Sequence, residues 1–119
     1  MRPRSERLYR TFIDLGQEFL GFDQTESLKL AERYDCEIGK CFDNCRRIAK
    51  ESKLQYVQGF ADAADGVEEH AWLINSAGEV LDPTYCLIDG VEPSKISYFG
   101  LTIPLKFLDA NKMRRNPTG

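Results

Sequence analysis

The chain has 119 residues, of which 42% are hydrophobic and 29% charged, and this balance predicts one globular domain rather than two domains or a disordered chain. With 16 basic and 19 acidic residues the net charge is -3, so attraction to phosphate backbones is weak and nucleic acid is not expected as a partner. No apolar run approaches the roughly 20 residues that span a bilayer, and no secretory signal follows the N-terminal arginines, which predicts a cytoplasmic protein that does not contact membranes.

The chain contains four cysteines and a single histidine, His70. In a reducing compartment, cysteines are expected to be packing, metal-binding or nucleophilic residues before they are disulfides. Any chemistry that needs an imidazole must therefore use His70.

The N-terminal third predicts two helices. Apolar residues spaced four, three and four apart predict a helix from Ser5 that ends near Gly21 and covers the core with Leu8, Phe12, Leu15 and Phe19. Asp23 and Glu26 have the spacing of a capping box, which predicts a second short helix that reaches Tyr34.

A turn from Asp35 to Lys40 precedes a third predicted helix, which begins at Cys41 and has a helical apolar face of Phe42, Cys45, Ile48 and Ala49. Residues 54–63 then predict a strand because apolar and polar residues alternate. The polar segment from Ala64 to Glu68 is predicted to be a loop.

The clearest predicted hairpin lies between His70 and Thr84, where two apolar runs flank Asn75-Ser76-Ala77-Gly78. A type I turn that starts at Asn75, with Gly78 as the left-handed residue of a bulge, pairs Ile74 with Val80 and places His70 and Asp82 on one face. A two-residue turn at Ser76-Ala77 would send Asp82 to the opposite face. Asn at the first turn position and Gly at the fourth favour the bulged form.

After Cys86, a loop rich in Asp, Gly and Pro leads to a predicted strand, SYFGLTIP, and Pro104 begins a last helix from Leu105 to Asn111. Residues 112–119 are predicted to be a flexible tail. The whole chain, 1–119, is expected to form a single domain.

Three residues together indicate chemistry. Cys41 is placed at a helix N-terminus, where free amides and the helix dipole favour a thiolate and can hold an oxyanion. His70 is the candidate base, since imidazole exchanges protons near neutral pH, and Asp82 is the candidate carboxylate that orients it. Trp72, Asn44 and Lys40 are expected to support this site: Trp72 by shielding it from water, the other two by their position beside Cys41.

The short motifs around Cys41, His70 and Asp82 resemble those of known protein families. Cysteine at a helix start, then His-Ala-Trp on one strand and Asp-Pro-Thr after the next, resembles transglutaminase-like proteins of the papain-like cysteine-peptidase superfamily. GKCFDN is similar to a stretch of the arylamine N-acetyltransferases, and GKCFDNC, YVQGFA, HAWLIN and VLDPTY together look like a group of small uncharacterised bacterial and phage proteins. The resemblance covers about Gly39 to Tyr85 and implies an α+β papain-like core with a Cys41, His70 and Asp82 triad.

The function expected from this reading is thiol hydrolysis or acyl transfer on a protein, a peptide or a small acyl or amide substrate, without a cofactor. Two alternatives stay open. One is a protein-binding module that has the fold without the chemistry. The other is a small zinc site built from Cys36, Cys41, Cys45, Cys86 and His70, although the second half of the usual paired-cysteine spacing is missing. For Cys36, Cys45 and Cys86 a packing role is expected.

Overall fold

The structure is a computed structural model that describes residues 14–63 and 66–108. It is an α+β fold in which helices accompany one antiparallel sheet of five strands, in the order β1-β5-β2-β3-β4. The strands are β1 (Gln17–Leu20), β2 (Gln55–Ala63), β3 (Gly66–Ile74), β4 (Val80–Leu81) and β5 (Ser97–Ile103); the helices are α1 (Gln24–Arg33) and α2 (Cys41–Glu51), with short 3-10 turns at Tyr85–Leu87 and Pro93–Lys95. Among these described helices, none has the length and apolar character needed to cross a bilayer.

Both helices begin where the sequence predicts. The Asp23 side chain accepts a hydrogen bond from the amide of Glu26 at 3.0 Å, which caps α1. Helix α2 starts at Cys41, and its apolar side, formed by Cys45, Ile48 and Ala49, packs with sheet residues Tyr56, Ala71 and Leu73 in one buried cluster. This packing fixes the start of α2 against the middle of the sheet.

The first predicted helix is wrong at its C-terminal end. Gln17–Leu20 form strand β1, which pairs with Ser97–Gly100 of β5, and Phe19 meets the ring of Trp72 edge-on at 6.0 Å between centroids. The conformation of this segment is determined by its pairing with β5 and its contact with Trp72, both distant in sequence. Such tertiary contacts override a local helical pattern. Leu8 and Phe12 lie outside the described residues.

The predicted polar loop at residues 64–68 is also wrong in part, since Gly66, Val67 and Glu68 belong to β3 and pair with Ala63, Asp62 and Ala61. Val67 and Glu68 are exposed. Backbone pairing with β2 therefore extends the strand through residues whose composition is typical of a loop. Of the last predicted helix, residues 105–108 are helical, and the remainder and the tail lie outside the described residues.

The hairpin between β3 and β4 has the predicted bulged turn. Ile74 pairs with Val80, the Asn75 amide donates to the Glu79 carbonyl at 3.1 Å, and Gly78 has a φ of 82°. Glycine adopts that backbone conformation without the steric cost of a Cβ atom, which explains the residue at this position. The predicted register is confirmed, so the faces of β3 and of the residues after β4 are set by local turn chemistry.

A second glycine allows the core to close over the sheet. Gly100 of β5 lies opposite Gly59 of β2, and a Cβ atom added at Gly100 would sit 2.8 Å from the indole of Trp72. The absence of a side chain therefore lets Trp72, which is fully buried, lie directly against β5. Tyr98 of the same strand packs on Trp72 with ring centroids 4.6 Å apart.

Candidate active site

His70 and Asp82 lie next to each other just beyond the end of β4, the short strand at the edge of the sheet. Strand β4 has only two residues, which pair with Leu73 and Ile74, so the chain leaves the ladder after Leu81 and the next residues lie beside the earlier part of β3. His70 Nε2 and Asp82 Oδ2 are 2.8 Å apart. The two side chains are 3% and 0% exposed, so this pair is formed away from solvent.

Every oxygen of the Asp82 carboxylate is engaged. Oδ1 accepts the backbone amides of Thr84 at 3.2 Å and Tyr85 at 2.8 Å, and Oδ2 accepts the hydroxyl of Tyr98 at 2.7 Å as well as facing His70. The Asp82 amide donates to the Ser27 hydroxyl of α1 at 2.8 Å. A buried carboxylate costs least when donors surround it in this way, and the same donors fix the direction in which it points.

Aromatic rings enclose the imidazole. The ring of Tyr85 is stacked on His70 with centroids 3.8 Å apart and an interplanar angle of 15°. Trp72, two residues along β3 and on the same face as predicted, lies at 6.1 Å. Tyr85 is itself held by Glu68, whose carboxylate accepts the tyrosine hydroxyl at 2.6 Å. The orientation of His70 is therefore set by a carboxylate at its edge and by a ring on its face.

Cys41 lies in the same cavity as His70. The cavity has a volume of about 310 Å³, and its walls include Gly39, Cys41, Phe42, His70 and Tyr85. The thiol is half-buried, whereas Cys45, one turn later in α2, is completely buried as predicted. Because Nε2 of His70 is taken by Asp82, Nδ1 is the ring nitrogen left to face the thiol.

The start of α2 supplies backbone donors to this cavity. The first backbone amide that donates a hydrogen bond inside the helix is that of Asn44, which donates to the Lys40 carbonyl at 2.8 Å. The Lys40 side chain does not cap the helix. The amides of the first helical residues, which begin with Cys41, are left without a partner inside the helix. Free amides at a helix start favour a negatively charged group beside them.

The surroundings change the protonation of His70. Burial lowers the pKa of the imidazole, but the negative charge of Asp82 and the hydrogen bond to it act in the other direction, with smaller contributions from Cys41, and the pKa is raised from 6.5 to about 9. His70 thus carries its positive charge at neutral pH and donates Nε2–H to Asp82.

The other three thiols are in surroundings that disfavour ionisation. Burial raises the pKa of Cys36, raises that of Cys45 well above its ordinary value, and raises that of Cys86 to about 12, with the charge of Asp82 adding to the last two. Cys45 and Cys86 are buried and Cys36 is half-buried against the core, which agrees with the packing role predicted for them. These thiols should remain protonated and unreactive near neutral pH.

Asn44 ties the Cys41 helix to the loop that carries Asp82. Its amide donates to the Glu37 carbonyl and to the Thr84 hydroxyl, each at 2.9 Å, and the side chain is 1% exposed. Asn44 therefore links the two segments that carry Cys41 and Asp82 and does not line the cavity. Lys40 does not reach the cavity walls: its ammonium pairs with Glu37 at 3.6 Å and its side chain is 59% exposed.

The sequence pattern predicts no role for four residues that shape this site, namely Ser27, Glu68, Tyr85 and Tyr98. Their side chains meet partners that are remote in sequence: Ser27 and Tyr98 contact Asp82, and Tyr85 contacts Glu68 and His70. The one usable signal is general: a tyrosine buried in a strand needs a partner for its hydroxyl. For Tyr98 that partner is Asp82.

Within the described ranges 14–63 and 66–108, no three His, Cys, Asp or Glu side chains are grouped as metal ligands would be. The cysteines of the alternative zinc site therefore do not converge on His70.

Comparison with protein-family models, with curated proteins and with solved structures found no match to this chain.

Proposed function

We propose that this chain is a cysteine-nucleophile enzyme that cleaves or transfers an acyl or amide group, built on a papain-like core of the transglutaminase-like kind. The observation that carries the proposal is a buried His70 and Asp82 pair at 2.8 Å that opens onto the cavity holding Cys41. The order of the parts, a cysteine at a helix start followed by a histidine strand and an aspartate beyond the next strand, supports the papain-like assignment.

The reaction would begin with the thiolate of Cys41 and the imidazolium of His70. The sulfur attacks the substrate carbonyl carbon, a C–S bond forms, and the oxygen takes up the negative charge opposite the amides at the start of α2. His70 then gives its proton to the leaving amine, alcohol or thiol as the bond to that group breaks. The product of this half-reaction is an acyl thioester on Cys41.

The second half-reaction returns the enzyme to its starting state. His70, now neutral, takes a proton from water or from an amine as that acceptor attacks the thioester carbonyl, and the C–S bond breaks. Water gives hydrolysis and an amine gives transfer. Substrates would be proteins, peptides or small acyl and amide compounds, and no step calls for a metal or an organic cofactor.

The raised pKa of His70, about 9, supports the first step because it keeps the proton on the imidazole until the leaving group needs it. The same pair supports the second, since Asp82 holds the ring in place while its charge changes. Tyr85, stacked on the ring, blocks rotation of the imidazole away from the thiol.

The proposal is tested with a panel of acyl electrophiles, including activated esters, thioesters and acyloxymethyl ketones, followed by intact-protein mass spectrometry and peptide mapping. We expect a single adduct on Cys41 that is absent in Cys41→Ser and much slower to form in His70→Ala. Adducts spread over Cys36 and Cys86, or no adduct with any electrophile, would overturn it and favour a binding module. The electrophile that reacts fastest also reports the substrate class.

A further inference from the structure

The contact between Tyr98 and Asp82 places a second hydrogen-bond partner on the carboxylate oxygen that faces the imidazole. The Tyr98 hydroxyl lies 2.7 Å from Asp82 Oδ2, and His70 Nε2 lies 2.8 Å from the same atom. Oδ1 already accepts two backbone amides. Each oxygen of the carboxylate thus has two partners, and the two side-chain partners share Oδ2.

Tyr98 can act here only as a donor. Burial raises the pKa of Tyr98, and the negative charge of Asp82 raises it further, so the phenol keeps its proton at any pH the protein would meet. Tyr98 is 2% exposed, and its ring packs on Trp72. This packing restricts the orientation of the ring and therefore the position of its hydroxyl. The donor is therefore permanent and fixed.

We propose that Tyr98 is a positioning residue, whose hydroxyl holds the Asp82 carboxylate and shares the oxygen that binds His70, so limiting how firmly that oxygen retains the imidazolium. A donated hydroxyl withdraws negative charge from the oxygen that accepts it. With Tyr98 in place, His70 is oriented but can still release a proton to a leaving group. Without the Tyr98 hydroxyl, Asp82 Oδ2 would accept a hydrogen bond from His70 alone, and the imidazolium would be a weaker acid.

Several ionisable groups face His70 and contribute to its proton affinity. Asp82 and Cys41 favour the imidazolium, and Tyr85 lies on the ring face with its hydroxyl bound to Glu68. Tyr98 reaches the pair from β5, across the sheet. Of these groups, Tyr98 alone shares the oxygen at which His70 is bound, and its removal leaves the other groups in place.

The test uses the fact that the chain has one histidine, so the imidazole NMR signals are those of His70 without further assignment. The pKa of His70 is measured by NMR titration in wild type and in Tyr98→Phe. We expect it to rise in the variant by about one pH unit, the size expected for a lost hydrogen bond to a charged group. An unchanged or lowered value would overturn the proposal.

Two further variants separate an action through Asp82 from a general effect on packing. Tyr56→Phe is the matched control, because it also removes a hydroxyl from a buried tyrosine, one that donates to Gln58 at 2.9 Å, and should leave the pKa of His70 unchanged. In an Asp82→Asn background, Tyr98→Phe should no longer raise the pKa, and a shift that persists would contradict action through the carboxylate.

A measurement on the wild-type protein covers the case in which Tyr98→Phe does not fold. The Tyr98 hydroxyl proton should give a slowly exchanging resonance with a nuclear Overhauser contact to the His70 ring, whereas fast exchange with water would overturn the proposal. The catalytic part of the inference rests on the proposed function. If Cys41 proves unreactive while the pKa shift is seen, the enzyme proposal fails alone; if Cys41 is reactive and the shift is absent, only the role of Tyr98 fails.

Discussion

His70 and Asp82 form a hydrogen-bonded pair that almost no solvent reaches, with 2.8 Å between Nε2 and Oδ2. Burial acts against a charged imidazole, so the charge on this ring depends on the carboxylate beside it.

Replacing Asp82 by Asn should lower the pKa of His70 from about 9 to below its ordinary value of 6.5. The amide removes the negative charge and leaves the burial, which then acts alone on the ring. NMR titration of the single histidine measures this directly. An Asp82→Asn protein whose His70 still titrates near 9 would show that the carboxylate is not the source of the raised pKa.

Stability should fall as pH rises from about 6.5 to about 9. The folded protein holds a proton on His70 that the unfolded chain has already released in this interval, so the stabilisation is complete below 6.5 and lost above 9. The full effect is about 3 kcal/mol in the free energy of unfolding, obtained from the difference between the two pKa values. Urea unfolding at several pH values should show this decrease in wild type and lose most of it in Asp82→Asn.

Asn44→Ala should destabilise the fold by about 2 kcal/mol, because the change leaves the Glu37 carbonyl and the Thr84 hydroxyl without their buried donor. It should also slow acylation of Cys41, since the helix and the Asp82 loop lose their direct link. Glu51→Ala is the control on the same helix: its side chain is exposed, and a change within about 0.5 kcal/mol is expected. Equal effects of the two substitutions in chemical unfolding would contradict the role given to Asn44.

The parts of this fold that could be predicted from sequence are those decided within a few residues. The Asp23 cap, the helix start at Cys41 and the bulged turn at Asn75 and Gly78 depend on local backbone chemistry, and each is where the sequence indicates. The turn mattered most, because its register puts His70 and Asp82 on one face.

The parts that could not be predicted depend on partners far along the chain. Gln17–Leu20 have a helical pattern but pair with β5, about 80 residues later. No feature of the neighbouring sequence indicates that pairing. The same holds for Tyr98 and Ser27, which reach Asp82 across 16 and 55 residues. The triad could be proposed from the sequence, whereas the hydroxyl of Tyr98 on the Asp82 carboxylate and the hydroxyl of Ser27 on the Asp82 amide required coordinates.

If His70 activates Cys41, the thiol should react with iodoacetamide at a pH where ordinary thiols do not, and the rate of Cys41 alkylation as a function of pH measures this. At pH 6 we expect Cys41 to react about tenfold or more faster than Cys36, Cys45 and Cys86, and His70→Ala to remove that advantage. Peptide mapping by mass spectrometry follows each thiol separately. Equal labelling of the four cysteines at pH 6, or a His70→Ala protein that labels as fast as wild type, would contradict the account.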